Sequence, residues 1–98
     1  MAKTPEGLVK DKVDKVLYEL GAYSCKPVSG GYGASGVPDI LACYQGRFIG
    51  IECKANRNKP TALQVHNLKQ IVAAGGIAFV INEESVVNLK STILESVK

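Results

Sequence analysis

Apolar positions along this chain recur at two spacings, and each spacing predicts a different kind of element. Three stretches have apolar residues three or four positions apart, which is the spacing of an amphipathic helix. The first two of these begin with a threonine suited to cap a helix and end at glycine. The predicted helices cover residues 4–21, 61–74 and 83–97.

Short apolar runs without helical spacing predict strands. Residues 22–28 are interpreted as a short strand that Pro27 ends or confines to a sheet edge. Residues 77–81 are apolar throughout, which predicts a strand buried on both faces. The strand, helix and strand between residues 47 and 81 then form a crossover unit with two parallel strands.

Two further apolar runs flank the pair Gln45-Gly46 and predict a β-hairpin with a two-residue turn. In that register Asp39 lies opposite Glu52, and alternation along the strand puts Lys54 on the same sheet face. Opposed carboxylates destabilise a sheet, so a divalent cation is the simplest compensation. A slip of one residue would separate the two acids and abolish the site.

These elements predict an α/β fold, a small mixed sheet with the order αβββαβ followed by a last helix. The length of 98 residues predicts a single domain spanning 1–98. No apolar run reaches the ~18–20 residues of a membrane span, and charges interrupt the region where a signal peptide would be apolar. Three cysteines without CxxC spacing favour reduced thiols in the cytoplasm and argue against a zinc site.

Charge and polar loops add candidate contacts. The net charge of +3 is compatible with a polyanionic partner, and the positive excess lies before residue 82. Arg57 and Lys59 follow the acidic pair closely enough to contact DNA phosphates, although a solvated basic loop explains them equally well. Glu6 either complements the dipole of the first helix or points inward at a buried polar site. Gln64 either completes a capping box with Thr61 or supplies a polar group at the end of the core.

A glycine-rich loop, residues 29–36, leads into Asp39 and is expected to form one rim of a site there. Its spacing satisfies GxGxxG, but a strand follows where a dinucleotide-binding loop needs a helix. No Gly-Lys-Ser/Thr is present, which excludes a P-loop. Gly50, on the same face as Glu52, is expected to leave room for a ligand.

Phosphodiester hydrolysis needs a Lewis acid, an activated water and help for the leaving oxygen. Mg²⁺ suits this reaction because it binds through one or two carboxylates and accepts phosphate oxygens as ligands. Asp39 and Glu52 can supply the carboxylates, and a backbone carbonyl near Cys53 can add an oxygen. Lys54 can orient or deprotonate the water.

Pro38-Asp39, followed thirteen residues later by Glu52-Cys53-Lys54, resembles the PD-(D/E)xK signature of metal-dependent nucleases. With Glu6 on the first helix and Gln64 at the start of the next, the set is similar to the VRR-NUC (virus-type replication-repair nuclease) family over roughly residues 4–81. The resemblance implies a restriction-endonuclease-like core.

The resemblance also implies a role for each matching residue. Asp39, Glu52 and Glu6 would hold Mg²⁺, or Mn²⁺ as a substitute, with the Cys53 carbonyl as a further ligand. Lys54 would act on the water, and Gln64 would support Lys54 or the scissile phosphate. The candidate DNA contacts are Ser35, Gly36, Arg57 and Lys59.

The predicted function is therefore metal-dependent DNA hydrolysis in branched or structured DNA, such as Holliday junctions or flaps, with a role in DNA repair. Stand-alone members of such a family, encoded by phages and bacteria, imply a homodimer acting in the cytoplasm of the host cell without an organic cofactor. The last helix is the candidate dimer interface. One alternative is a nuclease-like module that binds nucleic acid without cutting it; another is a sequence-specific restriction enzyme, for which no recognition helix is evident.

Overall fold

A four-stranded mixed sheet and three α-helices make up the computed structural model, which describes residues 3–28 and 35–98. A 3₁₀ turn at Ser85–Asn88 precedes the last helix. The elements in chain order are α1 (Pro5–Leu20), β1 (Tyr23–Cys25), β2 (Ile40–Tyr44), β3 (Arg47–Cys53), α2 (Ala62–Ala73), β4 (Ile77–Ile81) and α3 (Leu89–Ser96). The predicted fold class and order of elements are confirmed. Within these ranges no helix combines the length and apolar character needed to cross a membrane.

The strands lie in their sequence order across the sheet. β1 and β2 are antiparallel, as are β2 and β3, whereas β3 and β4 are parallel. A parallel pair needs a crossover connection, and α2 supplies it as predicted.

The β2–β3 hairpin has the predicted register, from Tyr44 opposite Arg47 to Ile40 opposite Ile51. Both turn residues have positive φ, 51° at Gln45 and 77° at Gly46, which is the type I′ geometry. That turn follows the right-handed twist of the strands, so the hairpin closes with two residues although glutamine is not a preferred first residue. One step beyond Ile40, the chain brings Asp39 to the position opposite Glu52.

The main core lies on one face of the sheet. There Ile40, Ile49 and Ile51, all fully buried, form one cluster with apolar residues of α1 and α3. The opposite face of β3 and β4 is covered by α2. A Cβ atom on Gly50 would lie 2.5 Å from Cδ1 of Ile71 and 3.3 Å from Cγ of Pro38. The expectation that Gly50 leaves room for a ligand is therefore wrong, because α2 fills that space.

Two expectations about the C-terminal third need correction. β4 is not buried on both faces: it forms the edge of the sheet, and Val80 remains 44% exposed. The last helix starts later than Glu83, since Asn82 Oδ1 accepts hydrogen bonds from the amides of Glu84 and Ser85. This cap forms a 3₁₀ turn first, and α3 begins only at Leu89.

Candidate active site

Three carboxylates from three parts of the chain meet at the open end of the hairpin. Glu6 comes from the first turn of α1, Asp39 precedes β2, and Glu52 lies near the end of β3. One carboxylate oxygen from each lies within 4.8 Å of the other two. The first-turn position of Glu6 therefore does place it at a polar site beside the hairpin pair.

Glu52 is the only buried charged residue in the described part of the chain, with 1% of its surface exposed. Its Oε2 atom is buried and accepts no hydrogen bond from any residue within those ranges. A carboxylate oxygen without a partner is costly in the interior, so this atom calls for a ligand of its own. A hard divalent cation bound by several carboxylate oxygens meets that need, and the residues therefore fit Mg²⁺ or Mn²⁺.

Both oxygens of Asp39 have partners. Oδ2 accepts a hydrogen bond of 2.8 Å from the backbone N–H of Cys53, and Oδ1 lies 3.4 Å from the ammonium of Lys10. The first contact orients the carboxylate toward Glu52. Sequence reasoning did not select Lys10, although its position one helical turn after Glu6 puts it on the same side of α1.

The pKa values of the two hairpin carboxylates are shifted in opposite directions. Burial, then a hydrogen bond with Asp39 and its negative charge, raise the pKa of Glu52 to about 8, although nearby Lys54 acts to lower it. Burial also acts to raise the pKa of Asp39, but hydrogen bonds with Glu52 and the Cys53 amide and the charge of Lys10 outweigh it, so that pKa is lowered. The pair thus shares one proton near neutral pH when no cation is bound.

Lys54 directly follows β3, and its amide donates to the carbonyl of Ile81 at 2.9 Å, which extends the β3–β4 ladder. This extended backbone keeps Lys54 in step with Glu52 on alternate positions, as the hairpin predicts. Its side chain is half-buried. An ammonium on the same sheet face as Glu52 is a candidate to act on a water molecule or on developing negative charge.

A cavity of about 400 Å³ opens beside Asp39. Gln64 lines it together with Lys10 and Lys26, and the backbone segment from Ser35 to Asp39 forms another wall. Residues 29–34 of the expected rim lie outside the described residues; Ser35 and Gly36 do line the cavity. Two lysines and one aspartate are the charged residues of its lining.

Helix α2 holds one wall of this cavity in place. Gln64 Oε1 accepts from the Thr61 amide at 2.9 Å and Thr61 Oγ1 accepts from the Gln64 amide at 3.2 Å, so the predicted capping box is present. Asn67 donates to the Ser35 carbonyl at 3.3 Å. Gly36 has φ of 77°, and a Cβ there would lie 2.7 Å from Leu63 Cγ, so this glycine permits close packing of the loop on α2.

The remaining predicted residues are Arg57, Lys59 and Cys53. Arg57 and Lys59 are exposed on the loop after Lys54, and neither lines the cavity. Arg57 has φ of 64°, next to Asn56, whose amide donates to Glu83 at 3.1 Å. Their contact with DNA stays a prediction. Cys53 places its backbone beside Asp39, but burial raises the pKa of its thiol to about 12, so only its carbonyl remains a candidate ligand.

An acid before one strand of a hairpin, Glu-x-Lys in the other and an αβββαβ order together define a nuclease of the PD-(D/E)xK class. The family model for the archaeal Holliday junction resolvase (Hjc) matches residues 12–93. The chain belongs to this resolvase family, and its membership supports a DNA endonuclease. The match begins after Glu6, so the inclusion of Glu6 in the site depends on the geometry alone.

Solved structures share the fold. A protein described as a VRR_NUC domain superposes with a TM-score of 0.71 at 24% identity, covering 89% of this chain and 95% of that one. Hjc from Archaeoglobus fulgidus, a Holliday junction resolvase from an archaeal hyperthermophile, superposes with a TM-score of 0.58 at 21% identity, covering 78% of this chain and 64% of that one. The predicted VRR-NUC resemblance is thereby confirmed. No curated protein matches the chain significantly.

Proposed function

We propose that this chain is a Mg²⁺-dependent DNA endonuclease, active also with Mn²⁺, that cuts branched DNA such as Holliday junctions or flaps. The observation that carries the proposal is the convergence of Glu6, Asp39 and Glu52 around a buried oxygen that has no hydrogen-bond partner within the described ranges. Membership of the Holliday junction resolvase family supports a branched substrate.

In this proposal the three acids and the Cys53 carbonyl hold the cation, whose contribution is to polarise the scissile phosphate and lower the pKa of a bound water. Asp39 is oriented for this by the Cys53 amide. Glu52 must release its proton, because a carboxylate ligand binds in its charged form.

The other residues act on the water and on the DNA. The ammonium of Lys54 orients the attacking water through Nζ and offsets the negative charge that develops at the phosphate, or the neutral amine takes the proton of the water and becomes the ammonium. Gln64 has its Oε1 engaged by Thr61, so its Nε2 is the atom that can donate to a phosphate oxygen across the cavity. Ser35 and Gly36 present backbone to the same strand, and Arg57 and Lys59 contact phosphates farther along.

A homodimer is part of the proposal, because a chain of 98 residues has little surface with which to hold a four-way junction. The suggested interface on the last helix has one feature against it: Leu89 and Ile93 of α3 are already buried in the core of the same chain. Sedimentation equilibrium over a range of protein concentrations tests the dimer directly.

The decisive assay incubates the protein with a four-way junction, a flap, a linear duplex and single-stranded DNA, each with Mg²⁺, Mn²⁺ or EDTA. We expect cation-dependent cleavage of the branched substrates. Asp39→Asn and Lys54→Ala should each reduce the cleavage rate at least about 100-fold, since even outer partners of metal ligands are worth 10- to 100-fold. Asp11→Asn makes the same kind of change at an acid of α1 that pairs with Lys3, and this variant should cleave normally.

Three results would contradict the proposal. Salt-sensitive binding without cleavage of any substrate would instead establish the non-cutting binding module. Unchanged cleavage by Asp39→Asn and Lys54→Ala would move the active site elsewhere. Discrete fragments from plasmid DNA would identify a sequence-specific restriction enzyme.

A further inference from the structure

Helix α1 carries a row of alternating charges along one side. Glu6, Lys10 and Asp14 are four residues apart, which places them one above the other on the helix. Each has an engagement beyond its own helix: Glu6 joins the carboxylate cluster, Lys10 pairs with Asp39, and Asp14 pairs with Lys26. Charges of opposite sign therefore run along α1 from the carboxylate cluster, and Lys10 in this row lines the cavity.

The Lys10–Asp39 pair stands where a cation would need to act. Asp39 Oδ2 is committed to the Cys53 amide, so Oδ1 is the oxygen for which Lys10 and a cation would compete. The lysine side chain is 35% exposed and the aspartate side chain 21%. A pair this accessible to water is weak, and a divalent cation at the cluster would repel the ammonium.

The cavity offers Lys10 somewhere to go. Lys10 and Lys26 both line it, and their side chains are 35% and 53% exposed. Lysine has a flexible four-carbon stem and three donors, so Nζ can turn from Asp39 into the cavity without moving the helix. Two lysines that line the same cavity can bind the phosphate next to the scissile one on the same strand.

We propose that Lys10 is an exchangeable counter-ion of the active site. Without a divalent cation it neutralises Asp39; when a cation binds, Asp39 releases it and Lys10, beside Lys26, binds a DNA phosphate in the cavity. This inference rests on the proposed function for its metal site. Cation binding and DNA binding are thereby coupled through one side chain, which is a positioning residue and not a catalytic one.

The first experiment measures Mn²⁺ binding to DNA-free protein by isothermal titration calorimetry. Lys10→Met removes the group that competes with the cation for Asp39. Because an exposed ion pair is weak, this variant should bind Mn²⁺ about 1.5- to 5-fold more tightly than the wild type. Lys12→Met removes the same charge from an exposed position of α1 and should leave the affinity unchanged. Lys10→Arg keeps the charge and should stay near the wild type, which guards against a folding defect in Lys10→Met.

The second experiment measures the salt dependence of binding to a four-way junction, with Ca²⁺ and with EDTA. The slope of log K against log salt is negative, and the loss of one phosphate contact reduces its magnitude by about 0.9. Relative to the wild type, Lys10→Met should show that loss with Ca²⁺ but not with EDTA, because in EDTA the Lys10 of the wild type is still paired with Asp39. For Lys12→Met the slope should not depend on the cation.

Equal or weaker Mn²⁺ binding by Lys10→Met would overturn the inference, as would a slope change that is the same in Ca²⁺ and EDTA. These readouts do not involve cleavage. A protein that shows both predicted effects but cuts no DNA would refute the endonuclease and leave the counter-ion exchange in place, whereas normal cleavage without these effects would do the reverse.

Discussion

Asp39 closes the open end of the hairpin through its side chain: its Oδ2 accepts the Cys53 amide at 2.8 Å. β2 begins only at Ile40, opposite Ile51, so the amide of Cys53 lies beyond the ladder and has no backbone carbonyl of β2 as its partner. A carboxylate takes the place of that carbonyl, which satisfies a part-buried N–H. The same hydrogen bond fixes the carboxylate next to Glu52, so one contact both ends the sheet and builds the site.

The stability of the metal-free protein should fall as the pH rises toward 8.5. Folding raises the pKa of Glu52 from 4.5 to about 8, chiefly through burial, so the folded state keeps a proton that the unfolded chain releases. The stabilisation is complete below pH ~4.5 and is lost as the pH passes through about 8. Asp39 shifts in the other direction, but its window lies below pH ~4.

Thermal melts in EDTA between about pH 5.5 and 8.5 check this linkage. Glu52→Gln, which is neutral and of the same shape, should flatten the dependence and melt higher than the wild type at the alkaline end. Glu95→Gln, at an exposed acid paired with Lys98, should follow the wild type. Adding Mg²⁺ should stabilise the wild type more at pH 8.5 than at 6, since binding requires the charged carboxylate. A wild-type profile that rises with pH in EDTA would contradict the assignment.

Gln64 can be tested for function separately from capping. Gln64→Glu preserves the capping box, so the melting temperature should change little. It replaces the Nε2 donor by a charged oxygen that repels phosphate, so cleavage should fall at least about 10-fold. Thr61→Ala is the complementary variant: it should cost about 1 kcal/mol of stability and leave the cleavage rate of the folded protein near normal. Full activity of Gln64→Glu would reduce this residue to a helix cap.

Gly50 is predicted to serve the packing of α2. Gly50→Ala should destabilise the protein by about 1–3 kcal/mol, because the added Cβ meets Cδ1 of Ile71 and Cγ of Pro38. Ile71→Val removes Cδ1, and in the double variant it should recover part of that loss. Urea unfolding of the four proteins gives the coupling energy. Additive effects would mean that Ile71 is not the residue that excludes a side chain at position 50.

The hairpin turn leaves room for stabilisation. Gln45 has φ of 51°, a conformation that asparagine tolerates better than glutamine. Gln45→Asn should raise the free energy of unfolding by up to about 1 kcal/mol. The same change at Gln70, exposed in the middle of α2, should lower it by a few tenths, because asparagine is the poorer helix former. Stabilisation at both positions would indicate a cause other than the turn.

The sequence by itself determined the elements, the hairpin register and the opposition of Asp39 and Glu52. These follow from short-range rules: caps and glycines limit the helices, and a two-residue turn with strand alternation leaves one register. It also supplied the residue set Glu6, Lys54 and Gln64, although Glu6 and Gln64 each kept a second interpretation.

The tertiary structure decided what depends on distant parts of the chain meeting. Only packing shows that α1 brings Glu6 within 4.8 Å of the hairpin acids, that Lys10 pairs with Asp39, and that α2 occupies the space at Gly50. It also decided that β4 lies at an exposed edge, since an apolar run of five residues does not reveal what covers it. Local spacing fixes which side a residue faces, but the packing of helices against the sheet decides what it meets there.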